Sequence, residues 1–214
     1  MMKNLKPLFF VLLISLLIGC TMQSEEPDNT MISIEDAVGR TVNFQNHPER
    51  IVIGGNGALM IADALLSFPE GLERLVGYTK TDQGKGSFTE ILLPESNKEV
   101  IEDRTSVEVI ASYQPDVVLL KSYMKDLGNT LEELDIPVVY LNLETYEQYQ
   151  HDMKNLGLLL DNAERAEELL HYYDKIVNDV TDKTKILDES DKPTVLFAYY
   201  DTRDGAVALK VPPM

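Results

Sequence analysis

From Arg50 onward, short β-branched runs alternate with segments of helical periodicity, the pattern of a parallel sheet built from βα units. Ile51-Val52-Ile53 predicts a first strand. Gly54, Gly55 and Gly57 then permit a tight turn into a helix over 59–67, where Leu59, Ala62 and Leu66 fall at helical spacing. Leu75-Val76-Gly77-Tyr78 reads as the second strand and Val100-Ile101 as a short third. Ser106 is placed to cap a helix running to Ser112, and Pro115 ends the connection. The run Val117 to Leu120 is apolar at every position, which predicts a strand buried on both faces. A helix over 124–134 and a strand from Val138 to Leu141 complete the alternation. No internal repeat or low-complexity tract interrupts it.

After Leu143 the pattern changes, because 146–160 and 163–187 both read as helix with no strand between them. The second is the longest element in the chain. Its apolar residues Ala163, Ala166, Leu169, Leu170, Tyr173, Ile176, Val177 and Val180 form one stripe, which predicts core packing. A further strand is expected from Thr194 to Tyr199, after Pro193. Residues 31–145 make a lobe of ordinary size, whereas 191–214 are too few for a second lobe of about 100 residues. The fold class expected is therefore α/β: a Rossmann-like lobe with a parallel sheet, a long connecting helix and only the beginning of a second α/β lobe.

Composition narrows the partners. Among 214 residues, 36 are acidic and 19 basic, a net charge of -17, and 44% are hydrophobic. Clustered Lys and Arg are needed to displace counterions from nucleic acid, so a nucleic-acid partner is not expected. The single cysteine, Cys20, rules out an intrachain disulfide and a multi-thiolate metal site. It ends a segment that begins with Lys3 and Lys6 and continues through the apolar run Leu8 to Ile18, the arrangement of a secretion signal. That run is far shorter than the roughly 20 residues a membrane-spanning helix needs. Leu17-Ile18-Gly19-Cys20 resembles a bacterial lipobox, in which residues 1–19 are removed and Cys20 is acylated. Residues 20–30, polar and rich in Ser, Glu and Asp, read as a flexible tether.

Two phrases carry a second resemblance: Glu35-Asp36-Ala37-Val38-Gly39-Arg40-Thr41-Val42, and His47-Pro48-Glu49-Arg50-Ile51-Val52. With Gly77-Tyr78, Ser106-Val107-Glu108-Val109-Ile110, Gln114-Pro115-Asp116-Val117-Val118 and Leu134-Asp135-Ile136-Pro137-Val138-Val139, they resemble class III periplasmic binding proteins for cobalamin, haem and ferric siderophores, over about residues 33–200. That resemblance implies two α/β lobes joined by one rigid helix, here 163–187. It also implies a chelated-iron or macrocyclic ligand held between the lobes, no resident cofactor and delivery to the permease of an ABC importer, while the lipobox implies an extracytoplasmic location anchored to a bacterial membrane through Cys20. Glu108 falls where the family carries an acid that pairs with the permease. A helix dipole also favours an acid in a first turn, so both readings of Glu108 stand.

Ligands of open α/β sheets bind beyond the carboxyl ends of the strands. This selects Asn56 after the first strand, Tyr78 and Thr79 at the second, Lys121 and Tyr123 after the fourth, and Asn142 after the fifth. Tyr199 and Tyr200 hold the matching position at the start of the second lobe. Phenol rings can stack on a macrocycle or hydrogen-bond a chelate, and a lysine can pair with its carboxylates. No histidine falls at these strand ends, which disfavours direct metal-ion binding. Gly55-Asn56-Gly57 only partly matches a dinucleotide fingerprint: Met60 occupies the third glycine position and no acid ends the second strand. An enzyme is therefore not expected, and a surface interaction module without transport is the remaining alternative.

Overall fold

The computed structural model describes residues 31–80, 91, 99–195, 199–201 and 208–210. Cys20, the apolar leader and the tether lie outside them. The chain enters through a hairpin, β1 (Ile32–Glu35) and β2 (Thr41–Phe44), paired antiparallel. The sequence reading had no strands here. Each carries a single buried residue, Ile34 and Phe44, so neither shows an apolar run.

The central sheet contains β3 (Ile51–Ile53), β4 (Leu75–Thr79), β5 (Glu99–Ile101), β6 (Val117–Lys121) and β7 (Val138–Leu141), all parallel, in the order β5-β4-β3-β6-β7. Between and after them lie α1 (Ala58–Leu65), α2 (Pro69–Arg74), α3 (Val107–Ser112), α4 (Lys125–Glu132), α5 (Tyr146–Leu159) and α6 (Ala163–Thr184). The short helix α2 was absent from the sequence reading, because Gly71 is its only buried residue.

Strand side chains alternate between two cores, as the pleat requires. Ile51, Ile53, Leu75, Val117, Leu119, Val139 and Leu141 pack with α1, α5, α6 and the hairpin, while Val52, Ile101, Val118, Leu120, Val138 and Tyr140 pack with Ile110 of α3 and Leu127 and Leu131 of α4. The result is a three-layer lobe with a sheet buried on both faces.

The phrases that carry the family resemblance turn out to be latches. Asp116 Oδ2 accepts the backbone N–H groups of Glu49 and Arg50 at 2.8 and 2.9 Å. The Arg50 guanidinium reaches the carbonyls of Tyr113 and Gln114 at the end of α3. Asp36 accepts from the backbone of Val38 and Arg40, and the Arg40 side chain bridges Asp36 and Glu132 while its guanidinium lies 4.4 Å from the Tyr140 ring centroid. These contacts fasten the hairpin turn to the β7 edge of the sheet, where Ala37 N–H also donates to Tyr140 O.

Differences from the sequence reading concentrate after Leu143. α5 matches its expected span and opens with a capping box between Thr145 and Gln148. α6 ends at Thr184 rather than 187, and a 3₁₀ turn follows at Glu189–Asp191. Only the first half of its apolar stripe is core: Ala166 and Leu170 are buried, but Tyr173, Ile176, Val177 and Val180 are 42–56% exposed. Thr194 and Val195 are not in a strand, and 196–198 lie outside the described residues. The strand that follows is β8 (Tyr199–Asp201), paired antiparallel with β9 (Ala208–Lys210). No helix among the described residues is long and apolar enough to cross a membrane.

α5 and α6 approach closely at Gly157, where a Cβ would lie 2.7 Å from Ala166 Cβ and 3.2 Å from Asn162 O. Both neighbours are fixed, one in a helix and the other at its cap. Gly157→Ala should therefore lower stability by about 1–3 kcal/mol through overpacking. Urea unfolding monitored by circular dichroism measures it, and an unchanged midpoint would show that the helix pair can separate freely.

Candidate functional site

The connection from β3 leads to β4 and β5 on one side, whereas β6 lies on the other side of β3. The strand order therefore reverses between β3 and β6, and the segments leaving their carboxyl ends diverge to leave a crevice. One wall is Gly54–Gly57. Gly57, at the N-cap of α1, has φ +76°, and a Cβ there would fall 2.5 Å from the Tyr123 hydroxyl and 2.9 Å from Lys121 Cγ. Glycine is required twice over, by the left-handed backbone and by the side chains crossing it.

The other wall is the end of β6. The Lys121 side chain is only 1% exposed, although its residue terminates a strand. Its ammonium donates to Asn142 O and to Glu144 Oε1, the latter at 2.7 Å, and lies 3.7 Å from Met60 Sδ. Tyr123 is 60% exposed and spans the crevice toward Gly57. Partial burial, reinforced by the charge of Glu144, raises the Tyr123 pKa above the ordinary phenol value, so its hydroxyl stays a donor at neutral pH.

Behind this pair stands a group the sequence reading missed. Asp152 is fully buried on α5, and its Oδ2 accepts the N–H groups of Asn142 and Leu143 at 2.6 and 2.9 Å. Leu143 has φ +60°, so the chain turns sharply around this carboxylate and presents Asn142 O to Lys121. His151 Nδ1 lies 3.1 Å from the other carboxylate oxygen. A signal was available in the sequence: Asp152 sits four and seven residues before Leu156 and Leu159, on the buried face of a helix where a lone acid needs partners.

The remaining predicted residues fall in different settings. Asn56 is exposed in the turn between Gly55 and Gly57. Asn142 enters the cluster through its main chain. Thr79 is buried and its hydroxyl donates to Ile53 O, which ties β4 to β3 behind the crevice. Tyr78, the preceding residue of the same strand, is half-buried and packs against the first core. Tyr199 and Tyr200 lie in β8, opposite Lys210 and Leu209 of β9. Glu108 is exposed in the first turn of α3, at the same sheet edge as the crevice, and accepts from Ser106 Oγ at 3.3 Å; Ser106 in turn accepts from Val109 N–H. Gly55 N–H donates to Arg104 O, joining the loop that leads into α3 to the crevice wall.

No group of three or more His, Cys, Asp or Glu suited to a metal ion occurs among the described residues. A cavity of about 700 Å³ opens at the opposite, amino-terminal edge of the strands, beside His47, Glu49 and Arg74. It shares no residue with the crevice.

A family model described as periplasmic binding protein matches residues 97–209, from β5 through the switch crevice to β9. The chain belongs to the periplasmic binding protein family. Among solved structures with a similar fold are a periplasmic solute binding protein from Veillonella parvula (24% identity, TM-score 0.60, covering 74% of this chain and 50% of that one) and the molybdate periplasmic binding protein MolA of Haemophilus influenzae (17%, 0.62, 74% and 55%). The iron uptake ABC transporter substrate-binding protein PiuA from Streptococcus pneumoniae is a third (18%, 0.57, 73% and 54%). The chain thus spans about half the length of these structures. No curated protein matches it in sequence.

In this periplasmic binding protein lobe, the rim of the crevice depends on Asp152. Asp152→Ala would leave two backbone donors without an acceptor, at a cost of about 2–4 kcal/mol. It should also speed hydrogen exchange at the amides of Asn142 and Leu143 more than at the centre of β6. Uniform acceleration across the sheet would show that Asp152 supports the whole lobe rather than this turn.

Proposed function

We propose that this chain is the ligand-receiving first lobe of an extracytoplasmic substrate-binding protein of an ABC importer, anchored to a bacterial membrane through acylated Cys20. In this reading a chelated-iron or macrocyclic ligand, such as a ferric siderophore, haem or cobalamin, sits between two lobes and is handed to a permease. The observation that carries it is the crevice at the reversal of strand order, edged by Gly57, Lys121 and Tyr123, in a chain of this family. Open α/β sheets bind ligands at this position because diverging crossovers leave a gap there. The names of two structural neighbours agree in class, iron uptake for the pneumococcal protein and haem for a periplasmic haem binding protein from Pseudomonas aeruginosa, whereas the Haemophilus protein is named for molybdate. Glu108 is proposed as a docking contact, since it stands exposed on the rim of the same edge without entering the crevice.

Native mass spectrometry of the protein isolated from its source cells tests the reading in one measurement. The expected result is a mass carrying acyl chains on Cys20 together with a bound chelate or macrocycle. An unacylated protein that binds none of ferric siderophores, haem or cobalamin on titration overturns it. Docking is separable from capture: Glu108→Ala should reduce uptake by living cells several-fold while changing ligand affinity less than about twofold, as expected for a rim charge. An equal fall in both would move Glu108 into the ligand site.

A further inference from the structure

The Lys121–Glu144 pair is built asymmetrically. Lys121 is enclosed, at 1% side-chain exposure, whereas the Glu144 side chain is 54% exposed. On the lysine side the stem and its main-chain acceptor are held. Its stem is boxed in by Gly57, and Asn142 O is held by the turn that Asp152 pins. On the glutamate side, the bond to Lys121 is the only side-chain hydrogen bond of Glu144 among the described residues. The third ammonium proton faces Met60 Sδ at 3.7 Å, and a thioether is a weak acceptor on a flexible, here 38% exposed, side chain. A buried cation of this kind keeps an anion beside it, because leaving it unpaired is costly. It does not require that anion to be Glu144.

We propose that Glu144 is a placeholder for an acidic oxygen of the ligand. A carboxylate or comparable anionic oxygen entering the crevice takes over the Lys121 ammonium, and Glu144 swings into water. This rests on the reading above that the carboxyl edge receives ligand, and it narrows the ligand class: the favoured ligand presents at least one acidic oxygen to this lobe. A neutral ligand gains nothing by displacing Glu144, since it would strand the ammonium. The Tyr123 hydroxyl and the Lys121 stem both flank Gly57, so a second donor borders the same wall of the crevice. Specificity then comes from an exchange of one anion for another, and the exposed carboxylate repels anions that are too weak to complete it.

The probe is citrate, a tricarboxylate, added to the 214-residue chain and followed by NMR at the backbone amides of Gly57, Tyr123 and Asn142 and at the Glu144 side-chain carboxyl carbon. In the unaltered chain, citrate should move the Glu144 carboxyl signal together with the three amides, as the glutamate is released. In Glu144→Gln, the amides should respond at citrate concentrations about tenfold lower, because both the competitor and the repulsion are gone. In Lys121→Met, the response should vanish. Should either variant fail to fold, the Glu144 carboxyl signal of the unaltered chain decides alone. A Glu144 signal that stays still at saturating citrate, equal citrate dependence with and without Glu144, or no response at the three amides overturns the placeholder role. The two readings fail separately: a bound ligand without acidic oxygens leaves capture standing and the exchange falls, whereas a protein that binds none of ferric siderophores, haem or cobalamin removes the capture reading itself.

Discussion

A parallel pair of strands cannot be joined by a tight turn, so each strand of this sheet returns through a crossover and all five end at one edge. That constraint organises the lobe. It forces helices onto both faces, which is why Val117 to Leu120 must be apolar at every position and why two separate cores form. It also gathers the ends of β3, β6 and β7, distant in sequence, around a gap of a few residues. The gap exists because β3 and β6 are neighbours whose chains leave in opposite directions. Nothing about Lys121 or Glu144 would matter without that reversal.

The polar groups of the lobe divide by what they hold. Asp116, Arg50, Asp36 and Arg40 satisfy backbone groups or one another at turns, and they fix the hairpin and the strand entries. Asp152 does the same work from inside the core, at a turn that borders the crevice. Lys121 differs in kind. It is a buried charge whose counter-charge stands in solvent, so its environment can change without the fold changing. In the proposed exchange, stability and binding fall to different residues: the enclosed carboxylate holds the turn, and the exposed one is released.

The long helix shows a related division. Its first half is fastened by the close approach at Gly157 and by Arg165, which donates to Ser67 O, while its second half carries apolar residues out of the lobe. A stripe that is continuous in sequence is thus core over one stretch and open over the next. Periodicity reports which face of a helix is apolar, but it carries no information on what lies against that face.

Sequence alone determined the α/β class, the five strands of the sheet and most helix positions, because strands buried on both faces and amphipathic helices leave signals that are local in the chain. It also marked the strand ends as the place for a site, since the common edge follows from parallel pairing. The hairpin and α2 escaped it, having one buried residue apiece per element where a pattern needs several. What only the tertiary structure decided is which strand-end residues meet. Thr79 turns into the sheet, Asn142 contributes its backbone, and Glu144, unremarkable in a polar loop, becomes the partner of a lysine 23 residues away. Strand order and a turn wrapped around a buried carboxylate set those contacts; the first is a long-range pairing that no window along the chain contains, and the second joins Asp152 to backbone groups nine and ten residues away, which carry no residue-type signal.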